Sequence, residues 1–345
     1  MEEMMMHELQ KNKTEARSDI LLDVQALKKY FPIKEGIFKR TTGYVKAVDD
    51  VSFFIRNGET LGIVGESGSG KSTLGRVILR LLDPTAGKIY FNGNELAALK
   101  QRAVRSYRRD MQIVFQDPFA SLNSKMSIAE LVEEPLLIQT SFSKKERKEK
   151  AIEMIEKVGL RADDRLKYPH EFSGGQRQRI SIARALIMEP QFVICDEPVS
   201  ALDVSIQAQV LNLMKDLQDD LGLTYLFIAH DLSVVKHISD RVAVMYLGRI
   251  VEIATKHDLY KQPLHPYTKA LLASIPKVEH QQPIQQKREK IILSGDMPSP
   301  ANPPSGCAFR TRCPSAFERC AKERPVLQDV GNGQFVACHL YTSTT

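Results

Sequence analysis

Residues Gly65-Glu66-Ser67-Gly68-Ser69-Gly70-Lys71-Ser72 constrain this chain more than any other stretch. They spell G-x-x-x-x-G-K-S, a loop whose backbone N–H groups turn inward around phosphate oxygens. Its glycines allow the backbone path that this requires. Lys71 adds a mobile point charge for the outer phosphates, and the Ser72 hydroxyl suits Mg²⁺. Before the loop, Thr60–Val64 is a short apolar run suited to a buried strand. After it, Thr73 to Leu82 has helical spacing, so the loop aims a helix N-terminus at the anion. This strand–loop–helix predicts a nucleoside triphosphate held by residues 65 to 73.

At 345 residues, 43% hydrophobic and 26% charged, the chain has room for two domains, each burying a core. No stretch reaches the roughly 18 uninterrupted apolar residues of a spanning helix. The start, Met1-Glu-Glu-Met-Met-Met-His-Glu8, is acidic and has no signal-peptide apolar region. A cytoplasmic protein is expected, unless a partner holds it at a membrane. The net charge of +6 is modest, and no basic stripe with interleaved aromatics marks a nucleic-acid surface.

Alternating strand and helix signals predict an α/β fold with a mostly parallel sheet. Residues 1 to 19 read as a disordered tail. Leu22–Leu27 and Val45–Ile55 read as strands separated by a charged loop, Ile33 to Gly43. Asn57-Gly58 and Asn92-Gly93 read as hairpin turns. Residues 117 to 170 read as a helical insert, in which Ser143-Lys-Lys-Glu146 is a capping box and Gly159 a helix stop. Cys195 reads as core packing, Asp203 as a helix cap, and Val242 to Ile253 as a hairpin around Leu247-Gly248. Gln281 to Lys290 reads as a linker.

Five elements then occur in a telling order: the phosphate loop, Ser173-Gly174-Gly175-Gln176, the apolar run ending on Asp196-Glu197, Ser200-Ala-Leu-Asp203, and His230. Together they resemble the ATP-binding cassette (ABC) ATPases over residues 20 to 255. The resemblance implies ATP and Mg²⁺, a core of mostly parallel sheet, an antiparallel β subdomain and a helical subdomain over 117–170. It makes Glu197 the general base, Gln116 the Q-loop residue reaching Mg²⁺ and the lytic water, and His230 the switch histidine at the γ-phosphate. Asp196 and Ser72 hold Mg²⁺ in this scheme. Phe31, or alternatively Tyr44, stacks on adenine. Ser173 and Gly175 cap the γ-phosphate on the partner subunit's Lys71, so the working unit is a dimer.

Gln116-Asp-Pro-Phe-Ala-Ser-Leu-Asn123, His265-Pro-Tyr267 and Pro303-Pro-Ser-Gly-Cys307 extend the resemblance to the ATPase subunits of bacterial oligopeptide and dipeptide importers. That implies a second, related ATPase, two permease subunits, an extracytoplasmic peptide-binding protein, and a peripheral place on the cytoplasmic membrane face. Nickel and glutathione importers share the pattern. Four of the five cysteines, Cys307, Cys313, Cys320 and Cys338, crowd a C-terminal region (256–345) with little apolar content. A small Cys-rich domain stapled by metal is expected there, because disulfides do not persist in a reducing cytoplasm. Four thiolates suit Zn²⁺ or a [4Fe–4S] cluster. The spacing lacks C-x2-C pairs, and the importer resemblance points to iron–sulfur.

Overall fold

Strands covered on both faces read as unbroken apolar runs rather than alternating ones. Three such runs, Thr60–Val64, Phe192–Asp196 and Thr224–Ile228, are wholly buried neighbours in the computed structural model, which describes residues 19–36, 38–274 and 295–341. In chain order the strands are β1 (Ile20–Glu35), β2 (Arg40–Arg56), β3 (Thr60–Val64), β4 (Ala86–Phe91), β5 (Asn94–Glu95) and β6 (Met111–Val114). They continue with β7 (Phe192–Asp196), β8 (Thr224–Ile228), β9 (Arg241–Tyr246), β10 (Arg249–Thr255), β11 (Gln328–Asp329) and β12 (Phe335–Val336).

The main sheet has the order β11-β12-β10-β9-β3-β8-β7-β6. Its β9-β3-β8-β7-β6 portion is parallel and the remainder antiparallel. A second, antiparallel sheet has the order β2-β1-β4-β5. The helix following the phosphate loop, α1 (Lys71–Ile78), packs Leu74, Val77 and Ile78 into the core shared by the two sheets. Helices α2 (Ile128–Gln139) and α3 (Lys144–Lys157) form the insert, each opened by a capping box, Ser127–Glu130 and Ser143–Glu146.

Several local expectations change. Most of the charged segment expected as a loop is strand instead, because β1 and β2 stay paired out to Glu35 opposite Arg40. Asn57-Gly58 does not close a hairpin: β2 and β3 lie in different sheets, and the turn carries the chain between them. Asn92 and Gly93 do close one, with φ of 48° and 74° between β4 and β5. α1 begins at Lys71 and stops at Ile78, short of Leu82, because Arg80 turns left-handed at φ 54°. The buried Arg80 guanidinium then caps the carbonyls of Leu96 and Leu99 at 2.9 and 3.1 Å. Asp203 occupies the N-cap of α5 (Val204–Leu221), which follows α4 (Gly174–Leu186), but its side chain accepts no capping bond. The tail 1–18 and the linker 281–290 lie outside the described residues.

The C-terminal segment does not build a core of its own. β12 pairs with β10 of the main sheet, and Phe309 is buried in the same cluster as Tyr246 of β9. Residues 295 to 341 offer too few large apolar side chains to enclose a separate core, so they complete the existing one.

Candidate functional site

The phosphate loop leaves β3 at Gly65 and enters α1 at Lys71. Gly65, Gly68 and Gly70 all take positive φ, and crowding makes two of them irreplaceable. A Cβ on Gly65 would sit 2.1 Å from the Met245 carbonyl oxygen, and one on Gly70 would sit 2.0 Å from that of Ala47. Ser67 and Gly68 are exposed, while Ser69 is buried. The Lys71 ammonium is folded back into the loop, donating to the Gly65 and Glu66 carbonyls at 2.7 and 3.0 Å. Burial lowers its pKa, and the nearby Glu197, Asp196 and Glu66 carboxylates oppose that shift.

The tips of β3, β7 and β8 sit side by side, and that adjacency gathers the other groups. Asp196 ends β7, buried, and its Oδ1 accepts from Ser72 Oγ at 2.7 Å. Burial raises its pKa, with the Ser72 hydrogen bond working the other way. A carboxylate and a hydroxyl so joined are hard oxygen donors of the kind that would suit Mg²⁺. Glu197 follows in a left-handed conformation, φ 48°, its N–H bonded to the Ile228 carbonyl of β8. Its Oε2 accepts from Gln116 Nε2 at 2.9 Å and lies 3.2 Å from His230 Nδ1. Gln116 and His230 are exposed, whereas Glu197 is half-buried. Two residues far apart in the chain thus converge on one Glu197 carboxylate oxygen.

The Ser173–Gln176 element lies elsewhere. Ser173 caps α4 through a reciprocal box with Gln176, at 3.0 and 3.4 Å. Ser173 and Gly174 are exposed, and Gly175 is packed so closely that a Cβ would meet Ile206 Cγ2 at 2.4 Å. Among the described residues no hydrogen bond or ion pair joins 173–176 to the phosphate loop. Phe31 lies on β1 beneath the Lys29 ammonium, 5.0 Å from the ring centroid. Tyr44, on the paired strand and one register step away, is about half exposed.

The four terminal cysteines are free thiols that share one neighbourhood: the Cys307 N–H donates to the Cys320 carbonyl at 2.8 Å. Burial pushes the Cys307 thiol up to about 11, and Cys320, Cys338 and Cys313 add to that. Among the described residues, however, no group of three or more His, Cys, Asp or Glu stands where it could hold a metal ion. The expected four-cysteine metal group is thus not seen among the described residues.

Sequence reasoning missed one set of contacts. Tyr267, at the start of α7 (Pro266–Ala273; α6 is Leu232–Ile238), accepts the Glu66 N–H at 3.0 Å. Arg312 Nη1 meets both Glu66 carboxylate oxygens, at 2.9 and 3.1 Å. No local pattern pairs positions so distant, although His265-Pro-Tyr267 stood out as a motif. His265 caps α7, its Nδ1 accepting the Tyr267 N–H at 3.1 Å, and burial lowers its pKa to about 3. The neutral ring is thus required. A folded pKa below the unfolded value of about 6.5 means that stability is complete above pH 6.5 and falls as pH drops toward 3. Denaturant titrations at pH 6.5 and 5 should show a loss that is smaller in His265→Asn by up to about 2 kcal/mol. Equal losses in the two proteins would refute it.

A cavity of about 420 Å³ lies apart from the phosphate loop, between the antiparallel sheet and the C-terminal segment, with Asp23, Phe54, Arg241, His265, Cys307 and Phe309 among its walls. It takes no residue from the phosphate loop.

Comparison with known proteins gives the family. A family model described as "ABC transporter" matches residues 48–200, and one described as "Oligopeptide/dipeptide transporter, C-terminal region" matches residues 251–320. The chain is 54% identical to the oligopeptide transport ATP-binding protein AppF of Bacillus subtilis, over 95% of this chain and 100% of that protein. It is 52% identical to the dipeptide transport ATP-binding protein DppF of Haemophilus influenzae, over 92% and 96% respectively. Among solved structures it resembles the dimeric ATP-binding cassette MJ0796 in a post-hydrolysis state bound to ADP and Pi. The TM-score is 0.61 at 29% identity, over 68% of this chain and 98% of that one. CbiO1 from Clostridium perfringens, part of the ABC transporter complex CbiONQ, matches with TM-score 0.61 at 27% identity, over 71% and 92%.

Proposed function

The chain belongs to the ATP-binding subunits of oligopeptide/dipeptide ABC transporters, and from that premise we propose that it hydrolyses ATP to drive peptide import through a membrane permease. The observation that carries this reading is the convergence of Gln116 and His230 on Glu197, next to the Ser72–Asp196 pair. A carboxylate held this way can take a proton from an attacking water. Gln116 orients that water, and His230 moves from Glu197 to the γ-phosphate as ATP seats. Gly65 to Thr73 hold the triphosphate, with Lys71 released from the loop carbonyls to meet it. Ser72 and Asp196 hold Mg²⁺, which supplies charge neutralisation at the phosphate oxygens. Phe31 carries the adenine, with Tyr44 the alternative.

Ser173, Gly174, Gly175 and Gln176 face a second cassette. The exposure of Ser173 and Gly174 at a helix N-terminus supports this, since such an end attracts an anion delivered by a partner. ATP is then part of the dimer interface, so closure follows binding and opening follows hydrolysis. Residues 20–255 form the ATPase module, with 117–170 docking the permease, and 256–345 form the importer-type extension. No helix among the described residues is long and apolar enough to cross a membrane. The subunit works at the cytoplasmic face, with two permease subunits, a related ATPase and an extracytoplasmic binding protein.

For the four cysteines, mutual proximity supports a site that closes on a [4Fe–4S] cluster or on Zn²⁺. Anaerobically purified protein should carry one of these, and Cys313→Ser should lose it. Metal-free protein would rule the centre out. The functional reading is tested by affinity purification from native membranes with mass spectrometry. Two permeases, a second ATPase and a binding protein are the expected companions. Recovery from the soluble fraction with ribosomal or DNA-repair proteins would overturn it.

A further inference from the structure

Glu66 is an awkward neighbour for a triphosphate. It is the second residue of the phosphate loop, and its carboxylate adds a negative charge beside the place where phosphates must enter. The C-terminal segment answers both halves of that problem. Arg312, whose side chain is only 6% exposed, sets one guanidinium N–H between the two Glu66 oxygens. Tyr267 Oη takes the Glu66 backbone N–H. Neither group is free to wander. Tyr267 and Tyr246 meet edge-on at 4.7 Å, and Phe309 packs against both at 5.3 Å. The Arg312 guanidinium lies 5.9 Å from the Tyr246 ring. Two residues further along the loop, a Cβ on Gly68 would meet the methyl of Met297 at 3.3 Å. The extension therefore grips the loop at Glu66 and approaches it at Gly68, on residues that precede Lys71.

We propose that Arg312 is a positioning residue for ATP: it neutralises and turns aside the Glu66 carboxylate, so that the C-terminal extension sets the affinity of the phosphate loop. This rests on the functional reading above. A partly buried carboxylate left unpaired would repel the incoming phosphates across a short, poorly screened path. It would also be free to fold over the loop. Arg312 contributes through Glu66, so its removal should matter only while Glu66 carries its charge.

The test is a double-mutant cycle on the full-length protein, reading Mg-ATP binding by calorimetry and KM and kcat by phosphate release. Arg312→Gln should weaken ATP binding and raise KM about tenfold, equivalent to about 1.4 kcal/mol, with kcat within about twofold of wild type. Arg312→Lys should recover part of the loss. In a Glu66→Gln background, Arg312→Gln should change affinity by less than about twofold. A merely structural role for Arg312 would instead penalise both backgrounds equally, and that result overturns the inference. So does an Arg312→Gln protein that binds ATP as wild type does. A wild-type chain that takes no ATP would sink the functional reading itself, a failure visible before any variant is made.

Discussion

Glu197→Gln should lower steady-state ATP turnover by about 10²- to 10⁴-fold, the range over which a positioned general base contributes. The substitution is close to isosteric. Its amide oxygen can still accept from Gln116 Nε2, which Glu197 Oε2 does at 2.9 Å, so the local framework survives. What disappears is the basic lone pair of a carboxylate, because an amide does not take a proton from water near neutral pH. Lys71, Ser72 and Asp196 are untouched, so ATP should bind with near-normal affinity. If Ser173 and Gly175 of one subunit close on ATP held by the other, the variant should accumulate as an ATP-dependent dimer on size exclusion. Phosphate release and chromatography in the presence of Mg-ATP check both halves. Undiminished turnover would remove Glu197 from the mechanism.

The largest structural penalty is expected from Gly70→Ala. Gly70 caps α1 at φ 103°, a backbone state that L side chains rarely occupy. The added methyl would overlap the Ala47 carbonyl oxygen at 2.0 Å and press on Met245 Cε at 3.1 Å. Neither strand can retreat easily: Ala47 belongs to β2 and Met245 to β9, and both are held in sheets. Backbone strain and overpacking together should cost about 3 kcal/mol or more. Relief would come by shifting the loop, which moves the N–H groups meant for phosphate, so ATP affinity should fall at least about tenfold. Gly93→Ala is the control. It too has positive φ, +74°, but a Cβ there meets nothing within 4 Å. Its penalty should be the left-handed cost alone, about 1–2 kcal/mol, with ATP binding intact. Equal stability of the two variants in urea would contradict the steric account.

The features legible in the sequence are those whose chemistry is local. The phosphate loop needs its glycines and lysine within eight consecutive positions, and the Ser173 box needs only residues 173 to 176. Their places in the fold follow because a strand must precede the loop and a helix must follow each. Asp196, Glu197 and His230 were legible for a related reason: each stands at or just past the end of an apolar run that becomes a central strand. Long-range contacts left no such trace. Nothing near Glu66 announces Arg312, and nothing in Asn57-Gly58 says that the turn joins two sheets. The extension misled for a compositional reason. A run poor in apolar residues reads as a separate unit in want of a staple. Its few large side chains, Phe309 above all, instead fill a core begun by other strands.

The pairing of β12 along β10 has a practical corollary for anyone dividing this protein. A cassette cut after Thr255 would keep every group proposed to touch nucleotide, yet it would bare the outer rim of β10 and the hollow left by Phe309 and Tyr267. An uncovered strand rim invites pairing with another chain. Such a fragment should aggregate as it is expressed, and the loss would be one of solubility before it was one of chemistry.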